Sequence, residues 1–245
     1  MHENIKTDLP DENIGLVLVK NDNTTVKALR EAGFTVLSPA RCDILPDEVS
    51  EHADMLCCFT DIKTAVVEPG QTVLKRELEK YGFTVVFSEP LERDYPGDIK
   101  LNTAVRKKYA VGNFRHVSPA VTERLGGRTL IGVKQGYAGC STCFLSDGAV
   151  MTEDEGIARA LAAYGADVLL ISKGDIILSE KHYGFFGGAS GMLTKDVLAV
   201  TGSLKYHRDG EKIKAFAEKH SVRIAELSDG KIIDIGGIIN VFARF

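Results

Sequence analysis

A unit of two strands, a helix and a closing strand recurs along this chain about every 40–50 residues, within the period range of repeat architectures. The closing strands mark it best: Ala32-Gly33-Phe34-Thr35-Val36-Leu37, Tyr81-Gly82-Phe83-Thr84-Val85-Val86, Leu125-Gly126-Gly127-Arg128-Thr129-Leu130-Ile131, Tyr164-Gly165-Ala166-Asp167-Val168-Leu169-Leu170 and His220-Ser221-Val222-Arg223-Ile224-Ala225. Four of the five carry a glycine where a helix would stop. Glycine accepts the left-handed backbone that ends helices, and the β-branched run behind it favours an extended strand. The fifth copy has lost the glycine.

The first unit is short at its front, with a strand over 14–19, a helix over 24–31 and a closing strand over 35–38. The second has strands over 54–59 and 64–67 and a helix over 70–80. In the third, strands over 98–102 and 109–112 precede a helix opened by Ser118 and Pro119, a good entry signal. The fourth runs from Cys143 to Met151, with Thr152 as the expected N-cap ahead of an acidic first turn, Glu153-Asp154-Glu155. The fifth has apolar segments over 184–192 and 197–202 and a helix over 209–220. The tail, 231–245, reads as one more strand pair with no helix after it.

A tail strand without a helix and a first unit short of strands predict that the C-terminus completes the first blade, which removes exposed sheet edges. The fold class expected is α/β, a five-bladed pseudo-symmetric α/β propeller of ββαβ-type units closed by the C-terminal strand. It forms a single domain over 1–245, with units over 14–40 plus 231–245, 52–88, 98–134, 140–172 and 184–228. A doubly wound α/β sheet is the alternative that strand and helix alternation also allows.

At 245 residues and 44% hydrophobic content the chain is long enough for a sizeable buried core. A net charge of -4 gives no basic field, and Arg106-Lys107-Lys108 reads as a short surface run, so nucleic-acid binding is not expected. The first residues lack the layout of a signal peptide and no apolar run approaches a membrane span, which makes a cytoplasmic protein without membrane partners the expectation. Five cysteines fit reduced thiols better than a disulfide framework.

Three short motifs, in order, carry a family resemblance. Phe144-Leu145-Ser146-Asp147 resembles an aromatic-x-x-Asp strand end, Gly187-Gly188-Ala189-Ser190 a Glu-Gly-Gly-Asp segment, and Gly236-Gly237-Ile238-Ile239-Asn240 a C-terminal Gly-Gly-x-x-Cys. These are features of the guanidino-group-modifying superfamily of amidinotransferases, arginine and agmatine deiminases and dimethylarginine hydrolases, and with the five units they mark a resemblance over nearly the whole chain. The resemblance implies the α/β propeller and a pocket at the blade axis. In that superfamily the tail cysteine is the thiolate nucleophile, a histidine in a His-x-Asp segment works as acid and base, and carboxylates hold the guanidinium. Here Asn240 stands at the tail position, Phe186 and Ser190 replace the flanking carboxylates, and no His-x-Asp segment is evident. Ordinary deiminase chemistry is therefore not expected.

Read on their own, the thiols of Cys140-Ser141-Thr142-Cys143 and Cys57-Cys58 admit three uses: buried core, a redox or catalytic thiol, or a metal site. Adjacent Cys57 and Cys58 point to opposite faces of a strand, so one of them belongs to the core. Cys140, after the flexible Gly136-Tyr137-Ala138-Gly139, is the best nucleophile candidate, and His182 is the histidine best placed by sequence to serve it. His207 and His220 flank a helix as surface or capping residues, and His52 and His116 lie in inter-unit loops. Gly187-Gly188-Ala189-Ser190-Gly191 either lets backbone N–H groups approach a ligand or lets strands fit near an axis. Asp61, Asn102, Asp147, Ser190 and Asn240 fall one per unit, so a propeller would converge them on one channel as ligand-binding groups. For Asp147 the competing use is a hairpin turn with Gly148.

The function expected is binding of a small polar metabolite in the central channel, with no cofactor and no metal. Hydrolysis or transfer by a Cys140 thiolate with His182, and a noncatalytic interaction module like the propeller-shaped ribosome anti-association factor, are the alternatives. The sequence does not fix the oligomeric state.

Overall fold

The computed structural model describes residues 15–243; the expectations for 1–14 and 244–245, including the start of the first strand at Ile14, lie outside the described residues. In chain order the elements are β1 (Leu16–Leu18), α1 (Asn23–Glu31), β2 (Thr35–Leu37), α2 (Ala53–Leu56), β3 (Cys57–Phe59), β4 (Thr64–Val67), α3 (Thr72–Lys80), β5 (Thr84–Phe87), β6 (Ala104–Val105), β7 (Tyr109–Gly112), α4 (Pro119–Thr122), β8 (Thr129–Gly132), β9 (Thr142–Ser146), β10 (Ala149–Thr152), α5 (Glu155–Ala163), β11 (Asp167–Leu170), β12 (Ser190–Thr194), β13 (Val197–Val200), α6 (Gly210–Lys219), β14 (Arg223–Glu226) and β15 (Ile239–Asn240). They form five three-stranded sheets, β15-β1-β2, β3-β4-β5, β6-β7-β8, β9-β10-β11 and β12-β13-β14. In each, the first strand pairs antiparallel with the second, and the second pairs parallel with the third across a helix. The C-terminal strand does supply the missing strand of the first sheet, pairing Val17 with Asn240. No doubly wound sheet is present among the described residues.

The helices begin where short polar side chains take up free backbone N–H groups. Asp22 accepts from Thr25 N at 2.8 Å, Ser118 from Ala120 N at 3.1 Å and Asp154 from Ile157 N at 2.8 Å. Asp154 thus caps α5 in place of the expected Thr152, which ends β10 and donates its hydroxyl to the Ser141 carbonyl at 2.6 Å. Two further boundaries differ from expectation: 98–101 forms turns rather than a strand, and 53–56 is a turn of helix ahead of β3.

Period-two burial sorts the strand residues into shared cores. Cys57 and Phe59 pack with Leu16, Leu18 and Ile239, whereas Cys58 between them packs with Leu101, Val105 and Val121. The remaining clusters join the third sheet to the fourth through Val111 and Phe144, the fourth to the fifth through Met151 and Leu198, and the fifth to the first through Leu193 and Val17. Every sheet therefore shares apolar cores with two others. The third strands are half exposed, while β1, β3 and most of β9 and β12 are buried. Among the described residues no helix is long and apolar enough to cross a membrane.

A left-handed residue follows the main helix in every unit, two positions past its last residue, or five past that of α4. Gly33, Gly82, Gly127 and Gly165 have φ of +90°, +83°, +79° and +85°, and Ser221 adopts φ +58° in the copy without a glycine. The repeat constrains the backbone even where the residue has changed. A serine there is strained by roughly 1 kcal/mol, so Ser221→Gly is expected to raise the unfolding free energy by about 0.5–1 kcal/mol in urea titrations. Gly82→Ala, at a site where an added Cβ would meet nothing within 4 Å, is expected to lower it by about 1 kcal/mol through the backbone alone. Equal stability of both variants and the parent would show that the helix ends relax freely.

Candidate functional site

The first strands of all five sheets line one cavity. Its wall includes Asp54, Cys57, Thr103, Arg106, Thr142, Ser190 and Gly237, and its volume is about 40 Å³. A water needs roughly 10–15 Å³ of such space, so the cavity takes a few waters or a ligand group of comparable size. Glycines bring the backbones this close. A Cβ on Gly191 would lie 1.7 Å from the Ile238 carbonyl oxygen, and one on Gly187 2.4 Å from that of Cys140. The Gly187–Gly191 run is explained by this fit between strands.

Beside the cavity lies a buried polar cluster centred on Cys140. Asn102, fully buried, accepts at Oδ1 from Gly139 N at 2.7 Å and Cys140 N at 3.3 Å. Its Nδ2 faces Cys140 Sγ at 3.0 Å, the Asp54 carbonyl at 3.3 Å and Met55 Sδ at 3.3 Å. Asn102 thereby ties the loop before β9 to the helical turn before β3. Burial, then the Asp54 and Asp234 carboxylates, push the Cys140 thiol well above its ordinary range. At neutral pH it is a protonated thiol.

Asp234 is buried against glycines: a Cβ on Gly188 would meet its Oδ1 at 2.2 Å. It accepts from Phe185 N at 2.9 Å and Gly236 N at 3.0 Å, yet burial still lifts its pKa to about 6. Glu153 accepts from Phe186 N, and burial lifts it to about 8, with Asp234 adding like-charge repulsion and Lys173 opposing it. His52, 1% exposed, is lowered to about 3 by burial and by Lys20. Its Nδ1 stands 3.8 Å from Asp234 Oδ1. That distance is too long for a hydrogen bond, and a neutral imidazole makes no ion pair.

A loop over 39–51 packs onto this cluster. Cys42, Leu45 and Val49 share an apolar core with Met55, Cys140, Tyr137 and Phe185. The Gln71 side chain holds Ala40 by two 2.8 Å hydrogen bonds, and Glu48 meets His182 Nδ1 at 2.7 Å. His182 is thus a loop residue with 62% of its side chain exposed, bonded to Glu48 and Ser179. No hydrogen bond links it to Cys140 among the described residues.

The five residues expected to converge are divided. Asn102 belongs to the Cys140 cluster and Ser190 lines the cavity, its hydroxyl donating to the Phe186 carbonyl at 2.6 Å. Asn240 is buried and bridges sheets, donating to the Leu193 carbonyl at 2.7 Å and accepting from Phe242 N at 3.0 Å. Asp61 accepts from Lys63 N at 2.7 Å in the β3–β4 turn, and Asp147, half-buried in the β9–β10 turn, accepts from Lys108 N of the neighbouring hairpin at 3.4 Å. Neither residue lines the cavity. Arg106, read from sequence as surface, is 8% exposed and lines the cavity. Cys57, Cys58, Cys140 and Cys143 distribute over separate cores, no disulfide forms, and no group of three metal-binding side chains occurs among the described residues.

The model of a family of unknown function, DUF6873, matches residues 16–239. The chain belongs to this family. Comparison with curated proteins found no match. Among solved structures the DUF6873 chain is similar to SxtG, an amidinotransferase from Microseira wollei in the saxitoxin biosynthetic pathway, with 9% identity, a TM-score of 0.57 and coverage of 91% of this chain and 79% of that one. It is also similar to a dimethylarginine dimethylaminohydrolase in an adduct with S-methyl-L-thiocitrulline, at 10% identity and a TM-score of 0.55, covering 94% and 99% of the two chains. A third is the inosamine-phosphate amidinotransferase of Streptomyces griseus, at 13% identity, a TM-score of 0.52 and coverage of 88% and 77%. The fold is that of the guanidino-modifying superfamily, as the sequence motifs implied.

Asp54, His52, Glu153 and Asp234 carry most of the site's electrostatics, and sequence reasoning did not single them out. Glu153 resembles an ordinary acidic helix start, and only the Gly236-Gly237 pair after Asp234 hints at a crowded backbone. The raised Glu153 pKa has a testable sign. The folded state keeps this proton between about pH 4.5 and 8 while the unfolded chain loses it, so its contribution is present at low pH and lost as pH rises through 8. Glu153→Gln is therefore expected to gain about 1–3 kcal/mol on the parent between pH 5 and pH 8. Urea unfolding curves with parallel pH dependence would contradict the assignment.

Proposed function

We propose that this chain is a divergent amidinotransferase-like propeller, its five sheets closed into a ring, that binds a small polar metabolite with a cationic group at the central cavity and does so without thiolate chemistry. The succession of shared cores, first to second through fifth to first, supports the ring. The observation that carries the ligand reading is electrostatic. Asp54 lines the cavity, and behind it Asp234 and Glu153 are held at raised pKa, with Lys20 and Lys173 only partly offsetting the effect. Buried acids whose pKa values are raised form a site that an added cation would ionise further and stabilise.

Thiolate catalysis finds no support in the same geometry. Cys140 faces two carboxylates and an amide, none of which withdraws its proton, and His182 is engaged with Glu48. Asn240, at the position of the superfamily's nucleophile, is spent on a bridge between sheets. In the native protein at pH 7, Cys140 is expected to resist iodoacetamide for hours, read by peptide mass mapping; rapid labelling would restore the thiolate reading.

Ligand binding should displace protons, because a bound cation lowers the pKa of the neighbouring acids. Methylguanidinium and ethylamine, as chlorides, are the first probes. Affinity is expected to rise roughly tenfold for each proton released per pH unit, seen by calorimetry between pH 6 and pH 8 in buffers of different ionisation enthalpy. Asp54→Asn is expected to weaken binding at least tenfold, about 1.4 kcal/mol. Binding that is independent of pH and of Asp54 would sink the proposal.

A further inference from the structure

The central cavity carries a second polar element that the cation reading does not use. Thr103 and Thr142 line it, each 6% exposed, and neither hydroxyl has a hydrogen-bond partner among the described residues. Buried hydroxyls are almost always bonded, so two such groups on one cavity wall call for a ligand atom. The other hydroxyl on that wall, that of Ser190, is already committed to the Phe186 carbonyl.

Arg106 stands on the same wall. Its Nη1 donates to the Ala243 carbonyl at 3.3 Å, and its guanidinium lies over the Phe144 ring at 6.0 Å, which fixes the charged plane beside the cavity. Thr103 and Arg106 bracket the two-residue strand β6, and Thr142 opens β9. The third and fourth sheets thus place one permanent cation and two free hydroxyls around a common space. Such a wall of donors suits an acceptor that carries negative charge. A carboxylate is planar and offers two oxygens at the spacing of the guanidinium fork. The volume agrees: 40 Å³ admits about three heavy atoms when one water needs roughly 10–15 Å³.

We propose that Arg106, Thr103 and Thr142 form a carboxylate-binding site in the central cavity, sized for a group such as formate. The site rests on the cavity and the hydroxyls, and in so small a space formate and a cation at Asp54 exclude one another. Asp54 lines the same cavity, so its charge opposes the anion and sets the sign of one control.

The test titrates sodium formate into the full chain at constant ionic strength, with sodium chloride as the balancing salt, and reads heat and thermal shift. Formate is expected to bind above the chloride background. Thr142→Val and Thr103→Val are each expected to weaken it about tenfold while raising the melting temperature of the ligand-free protein, because each removes a buried hydroxyl that has no partner. A packing role for the threonines would not move both readings in those directions. Arg106→Gln is expected to abolish formate binding, and if that variant does not fold, Thr142→Val decides. Asp54→Asn is expected to tighten formate severalfold while weakening methylguanidinium, which separates this site from the cation reading. No formate effect beyond chloride, or unchanged formate affinity in both valine variants, would overturn the proposal, and methylguanidinium binding would be untouched by that result.

Discussion

Backbone crowding around one small cavity is the constraint on which the rest of the structure depends. Five first strands can meet there only because Gly187, Gly188, Gly191 and Gly236 leave no side chain between neighbouring chains. Gly236 and Gly237 also need positive φ, at +79° and +82°, to turn the chain past His52 into β15. An added Cβ at Gly191 or Gly236 would strike backbone atoms or the His52 stem, none of which can swing aside. The same close approach strips water from whatever polar group is left beside the strands, and the site's electrostatics follow from that.

Those polar groups are unequal in how they meet the cost of burial. Asn102 satisfies its amide by reaching two segments at once and so contributes to stability. Asp234 and Glu153 receive backbone N–H bonds but no adjacent cation strong enough to offset burial, so Glu153 keeps its proton at neutral pH and Asp234 takes one up near pH 6. Cys140 is held as a thiol first by burial and then by the nearby acids, whose field would favour a positive ligand. A thiolate and a cation-attracting pocket make opposite demands on local potential, and this chain meets the second.

The fold was legible in the sequence because its signals are local and repeated. A helix end and a following strand recur five times, four of them with a glycine between, and the left-handed Ser221 shows that the pattern survives loss of its most visible residue. The site was less legible for a physical reason. Asp147 and Asp61 carried motif or repeat signals, yet Asp61 is taken up by its own turn and Asp147 by the Lys108 N–H of the neighbouring hairpin. Arg106 sits in a basic triplet that composition assigns to the surface, while its neighbours Lys107 and Lys108 follow that rule. Which member of such a run turns inward depends on the pairing of a two-residue strand, a long-range property that no window of sequence contains. Asp54, Glu153 and Asp234 likewise gain their character from segments far away in the chain.

The pairing of β1 with β15 bears on how the molecule reaches this state. Val17 and Asn240 come from nearly opposite ends of the described chain, and the core shared by the fifth and first sheets needs both. Until the last strand is available, β1 presents an unpaired edge and the inner faces of two sheets stay uncovered. The lowest-entropy contact in the topology must therefore form late, after the local ββαβ units have assembled. The cavity is completed by this same long-range pairing, so the walls of the ligand site and the locking of the first sheet depend on one contact.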